Sequence, residues 1–321
     1  MHNNRTLTIW MSSPVMAVAI ALSIPAPARS ADAGVPARHE KPLPQKSFPT
    51  PEQAFDKLAA ALRAGDRKTL AAILGPRGVA LLHSGDPVED RQRTQNFLAA
   101  YAAKHSVISD GPGRATLALG DDAWIMPVPA IEGVQGWTLD AAAGATEILA
   151  RRIGENELSA IEVARAIVDA QREYACESHD ASGTRAYAAR FNSHQGRHDG
   201  LYWKTPAGEP FSPLGPFVAQ ATSEGYGKTG PRVPYHGYYF RLLTAQGRDA
   251  PGGARSYVVN GSLIGGFALV AYPARHGSSG IMTFIVNHDG VVYEKDIGPD
   301  TPEAVTAMRD ADSTASWQRI E

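Results

Sequence analysis

Cysteine is almost absent: Cys176 stands alone in 321 residues. A single thiol excludes any disulfide within the chain, so stability has to come from packing. The thiol itself has two readings, a buried inert group or a link between two chains. Net charge is scarce too, with 31 Lys and Arg against 33 Asp and Glu, formally −2. That balance leaves no electrostatic footprint for nucleic acid or an anionic membrane surface. The apolar run at 15–24 falls short of the about 20 residues a membrane span takes. Catalytic signatures are missing as well: there is no Gly-x-Ser-x-Gly, no His-Glu-x-x-His and no P-loop. GSLIGG at 261–266 has no helix after it and reads as a turn between strands. A Ser/His/Asp triad built from distant residues stays open.

What is present begins with an export signal. Arg5 gives a positive start, 15–24 an apolar stretch, and Ala28-Arg29-Ser30 a small-x-small cleavage site. Residues 1–30 therefore read as a cleaved signal peptide, with an uncleaved anchor as the alternative. The expected location is periplasmic or secreted, with no membrane span after cleavage. Residues 31–46, rich in Pro, Ala and charge, read as a disordered lead-in. The remaining about 270 residues suffice for one large or two ordinary domains. With 31 Gly and 23 Pro, short elements and many turns are expected.

The segment 47–153 reads as an N-terminal α+β domain. In TPEQAFDKLAAALRAGD, Thr50 is an N-cap, Pro51 opens the helix, Gln53 completes a capping box and Gly65 ends it. A second helix starts at Asp66 and stops at Gly75-Pro76; a third covers 86–104. RATLALG, AWIMPVP and GWTLD are strand candidates. Asp121, Asp122 and His105 are candidate cleft groups, although Asp121-Asp122 after Gly120 also reads as a hairpin turn.

The longest helical pattern runs from 140 to 176 and holds a glycine at 154. Leu158, Ile161, Ala164, Ile167 and Val168 share one face of a 3.6-residue helix. Glycine in a helix costs about 1 kcal/mol relative to alanine. Two helices meeting at Gly154, the second capped by Asn156, are therefore expected. The domain 154–321 then continues through a loop-rich tract into five strand candidates and a short closing helix at 301–312. His288-Asp289-Gly290 reads as a hairpin connection. The fold class is α+β in two modules: helices with an antiparallel sheet, then a long helix packed on an antiparallel meander.

Three resemblances follow from these residues. The stretch TPEQAFDKLAAALRAGD with its strands ending in GWTLD resembles nuclear-transport-factor-2-like (cystatin-like) domains, which implies a cleft between helices and sheet. NELSAIEVARAIVDAQREYA followed by GYYFRLL, FALVAYPA and IMTFIVNHDGVVY resembles the soluble part of type IV pilin-like proteins. The chain departs from that pattern because a whole domain precedes the helix. FPTPEQAFDKLAAALRAGD, RRIGENELSAI, DGLYWKTPAGEPFSPLGP, PYHGYYFRLLTAQG, VNGSLIGGFALVAYPA and TFIVNHDGVVYEKDIGPDT resemble an uncharacterised bacterial exported family, domain of unknown function 2950. That resemblance implies export and no particular activity.

Two constellations carry chemistry. Cys176-x2-His179, fourteen residues, then His194-x3-His198 has zinc-preferring ligand types, against which ten histidines make chance clustering easy. His179-Asp180 and Ser182-Gly183 hold too few carboxylates for calcium. Asp199, Tyr202, Trp203, Tyr235, His236, Tyr238 and Tyr239 suit a carbohydrate or peptide platform, or else pack both faces of a strand. The leading expectation is a non-enzymatic envelope protein that binds a partner protein or polymer through this aromatic surface. The alternative is a periplasmic hydrolase with its site in the N-terminal cleft or around His236 and Asp199.

Overall fold

In the computed structural model, described for residues 45–180, 182–227, 233–308, 311 and 316–320, the chain is tied down from Gln45 onward. The expected signal peptide and nearly all of the lead-in lie outside the described residues. Gln45 Nε2 donates to the Ile73 and Leu139 carbonyls at 2.6 Å each, and Lys46 N donates to Ala72 O.

Helix α1 (Pro51–Ala64) starts as its sequence dictates, with Thr50 Oγ1 accepting from Gln53 N. Gly65 ends it at φ 63°, a left-handed position where a glycine carries no steric cost. Asp66 caps α2 (Arg67–Leu81), which breaks at Gly75 (φ 70°, ψ 173°) and resumes, so the expected stop is a kink. Asp86 caps α3 (Pro87–Ala103). Next comes a five-stranded antiparallel sheet: β1 (His105–Ser109), β2 (Arg114–Leu119), β3 (Trp124–Ile125), β4 (Ala130–Gly133) and β5 (Gly136–Leu139), in the order β1-β2-β4-β5 with β3 on β2. Asp121 and Asp122 sit in the β2–β3 turn, the hairpin alternative, with Asp121 paired to Lys104. Phe55, Leu58, Ile73, Leu117 and Leu139 fill this first core.

Helix α4 (Ala141–Tyr174) is continuous for 34 residues. Gly154 lies within it, and Asn156, expected as a cap, is a buried mid-helix residue whose Nδ2 donates to Ser279 O at 2.9 Å. Next to it, Glu157 Oε1 accepts from the Ile281 and Met282 amides. Packing at both ends outweighs the modest cost of one helical glycine. The apolar face also differs from expectation at one position. Ala160, Val163, Ala164, Ile167 and Val168 are buried, whereas Leu158 is 66% exposed.

That face covers a second sheet. After a loop-rich tract and α5 (Gly215–Ser223) come β6 (Tyr238–Leu243), two short ladders, and the main meander. The ladders pair β7 (Ala245–Gln246) with β8 (Arg255–Ser256) and β9 (Val258–Val259) with β10 (Ser262–Leu263). The meander comprises β11 (Ala268–Pro273), β12 (Met282–Asn287) and β13 (Val292–Asp296), followed by α6 (Thr301–Ala307) and β14 (Gln318–Arg319). The antiparallel order is β14-β13-β12-β11-β6. Residues 288–290 form the expected hairpin turn, with Gly290 at φ 85°. Phe267, Leu269, Phe284 and Val286 are fully buried beneath α4, and Val270 is buried on the opposite face of the sheet. Among the described residues, no helix is long and apolar enough to cross a membrane.

A buried carboxylate joins the two cores. Asp86 Oδ1 accepts from the Val88 and Glu89 amides, while Oδ2 accepts from Tyr226 Oη at 2.9 Å and Gly237 N at 3.1 Å. One side chain therefore caps α3 and anchors the approach to β6.

Candidate functional site

The zinc-type residues do not converge. His179 stacks on Tyr174 at 3.8 Å between ring centroids, and its Nε2 meets Tyr174 O. His198 stacks on Trp203 at 4.2 Å, His194 Nδ1 meets Asp199 Oδ2 at 2.6 Å, and the Cys176 thiol is exposed and donates to Arg172 O. Among the described residues, no group of three or more His, Cys, Asp or Glu is placed to hold a metal ion.

The aromatic residues separate into two places. Tyr202 and Trp203 line a groove of about 570 Å³ formed by the 192–204 loop, together with His194 and His198. Asp199 faces another depression and holds its carboxyl below the ordinary range, chiefly through the hydrogen bond with His194. Tyr235, Tyr238 and Tyr239 instead line a cleft of about 710 Å³. Tyr238 is fully buried, its hydroxyl donating to Met282 O at 2.9 Å, so it serves as the floor of that cleft and not as an exposed platform ring. A strand that starts at a sheet's edge buries one face, and Tyr238 stands on that face.

The larger cleft is built by four elements. Val163 and Ile167 from α4 form one wall, Phe217 from α5 another, β6 the floor, and Val305 from α6 the far side. Phe217 and Tyr235 meet edge to face at 5.0 Å, and Tyr239 and Tyr272 lie 5.5 Å apart. Such geometries suit the ring quadrupoles. Tyr235 Oη donates to Glu224 Oε2 at 3.0 Å, and His236 Nε2 lies 3.4 Å from the same oxygen. His236 has φ 47°, a left-handed conformation uncommon outside glycine. Gly237 follows at φ 74°, where a Cβ would collide with the Asn156 amide, so only glycine fits. Burial raises the Tyr235 and Tyr238 hydroxyls above their ordinary value, with Glu224 adding to the first and Glu157 to the second.

Chemically, the described lining residues of this cleft are rings, aliphatic chains, hydroxyls and Arg241, with no carboxylate, imidazole or thiol. Neutral, high-pKa phenols are poor general bases at neutral pH. The His236 imidazole and the Asp199 carboxylate, expected as one cluster, take different partners, Glu224 and His194. Sequence reasoning missed Phe191, Phe217, Phe240 and Tyr272 as cleft residues. Tyr272 and Phe240 were legible only as alternating strand residues, because the wall they form depends on where α5 and α6 pack.

No curated protein and no solved structure matches the chain. The family whose description reads "Protein of unknown function (DUF2950)" matches residues 45–320, nearly the whole described length, and the chain belongs to that family.

Proposed function

We propose that this protein is an exported, non-enzymatic binding protein of the cell envelope that holds an apolar segment of a partner protein in the aromatic cleft of its second core. The observation that carries this reading is the lining of the about 710 Å³ cleft: Phe191, Phe217, Tyr235, Tyr239, Phe240 and Tyr272 supply rings and no catalytic acid or base. Aromatic walls bury large area at low entropy cost, which is how protein partners are anchored. An apolar lining favours a peptide segment over a glycan, whose hydroxyls would need more polar partners. Export rests on the signal-like residues 1–30. Hydrolysis around His236 and Asp199 has less support, since each is engaged by its own neighbour.

The test is capture of envelope proteins by the purified chain, compared with Phe217→Ala and Phe240→Ala. Both rings are only half-buried, so the variants should fold. Loss of the same specific partner from both variants is expected. Retention of every captured protein by both would overturn the reading, as would turnover of ester, peptide or glycan substrates by the purified chain.

A further inference from the structure

The first core contains a smaller cavity of about 180 Å³, walled mainly by Leu58, Leu74, Phe97, Met126 and Ile148, with Asp90, Arg93 and Thr94 also on its lining. Into this mostly apolar space the sequence sends a second, buried guanidinium. Arg152 lines the cavity and is only 4% exposed. Its Nη2 donates to Leu81 O, but among the described residues Nε and Nη1 have no partner. By the donor inventory of arginine, three N–H bonds are left without an acceptor. An unmade hydrogen bond on a buried charged group is among the costlier defects a fold can carry.

Asp90 and Glu89 are the neighbouring carboxylates, and among the described residues neither is hydrogen-bonded to Arg152. Both Asp90 oxygens accept from Ser84 N, and Glu89 Oε1 accepts from Arg93. Arg93 is further shared with Glu155 at 2.8 Å. Glu89 Oε2 is buried with no partner among the described residues; Glu89 is not on the cavity's lining, whereas Asp90 is. Burial lowers the Arg152 pKa, with the Arg93 charge adding to the effect ahead of the opposing pull of Asp90 and Glu89. The local carboxylates therefore leave the Arg152 charge incompletely compensated.

We propose that this cavity is a binding site for a small apolar carboxylate, its hydrocarbon part against the leucine and phenylalanine walls and its oxygens on Arg152 Nε and Nη1. The size agrees: an apolar cavity of roughly 150 Å³ accommodates benzene, so a ligand with about six carbons fits. Charge-assisted hydrogen bonds supply the selectivity, because a carboxylate accepts from both orphaned nitrogens and offsets their charge, whereas an alcohol accepts without charge and an ammonium has no acceptor. The site is separate from the aromatic cleft and stands whether or not that cleft binds a partner.

The experiment titrates the full chain with hexanoate, hexan-1-ol and hexylamine by calorimetry, and follows the Met126 methyl group by NMR. Hexanoate should bind and shift the Met126 methyl, with hexan-1-ol weaker by about tenfold or more and hexylamine silent. Arg152→Met should bring hexanoate down to the level of hexan-1-ol, and Arg152→Lys should retain part of the difference, since lysine keeps the charge without the planar fork. Phe240→Ala should leave hexanoate binding unchanged. The proposal is overturned if the wild-type chain gives no heat with hexanoate, which would leave water as the occupant. It is equally overturned if hexan-1-ol or hexylamine binds as well, if Arg152→Met binds undiminished, or if Met126 does not respond. The wild-type ligand series and the Met126 signal decide the matter even where the Arg152 variants fail to fold.

Discussion

The aromatic cleft and the Arg152 cavity treat buried polarity differently. In the aromatic cleft the polar atoms are mostly answered from within: Tyr235 by Glu224, Tyr238 by the Met282 carbonyl, Arg241 Nη2 by the Val305 and Met308 carbonyls, with Arg241 Nε lacking a partner among the described residues. Deeper in the second core, Gln171 exchanges two hydrogen bonds with Ala188, and Gln246 is held by Pro251, Gly253 and Tyr257. In the first core, by contrast, Arg152 has two nitrogens unanswered among the described residues, beside a small and mostly apolar space. The wide cleft can select by shape and ring contact, whereas the narrow one selects by charge. Volume alone would have pointed only to the first.

The sharpest way to break this comparison is to cut the link between the cores. Asp86→Ala should cost about 3 kcal/mol in urea unfolding, because it strands the Tyr226 hydroxyl, the Gly237 amide and two α3 amides at once. Should the two cores be independent, that variant would unfold in two separate transitions; a single shifted transition would show that they stay coupled.

Alkaline titration is the next probe. Tyr226, Tyr235 and Tyr238 are all held above the ordinary phenol value of 10.0 by burial. A phenol whose pKa is raised in the folded chain binds its proton more tightly there than when unfolded. Its contribution is complete below pH 10.0 and is lost as the pH rises above that value. The denaturation midpoint should therefore be flat on the neutral side and fall above about pH 10, and Tyr226→Phe should shallow that fall. A midpoint indifferent to alkali would contradict the buried placement of these rings.

Smaller effects test the helix between the cores. At Gly154 an added Cβ meets nothing within 4 Å, so Gly154→Ala should stabilise the chain by about 1 kcal/mol. Destabilisation there would mean that the helix needs a hinge. Leu158→Lys should change stability by less than about 0.5 kcal/mol, since the side chain is 66% exposed. A large loss would place Leu158 back on the apolar stripe.

Much of the architecture could be read directly from the residues, and the failures have particular causes. Thr50, Asp66 and Gly65 announced their helix ends because capping is a local matter of one side chain and two amides. The Gly290 turn was equally local. Gly154 misled because helix propensity is small beside tertiary packing, and Asn156 misled because a polar residue after a glycine imitates a cap. Strand β1 escaped notice since His105–Ser109 is almost wholly exposed, and its pairing with β2 is what makes it a strand. Arg152 was missed as a site residue. Its position four residues beyond Ile148 set it on the same stripe of the helix, a charge among apolar neighbours, and that mismatch was the available signal. Which rings enclose the aromatic cleft could not be seen, because α5 and α6 come from segments remote in sequence.

A rod shared by two cores fixes their phase. Ile148 faces the first and Ala160 the second, and nothing between them interrupts the helix. Each residue added or removed in that interval would turn one end against the other by about 100°. For a change between positions 152 and 156, Arg152 would swing away from its cavity or Asn156 from the Ser279 carbonyl, and both could not keep their places. The length of this connector is thus as strictly specified as any side chain on it, and a one-residue insertion there should be more damaging than most substitutions.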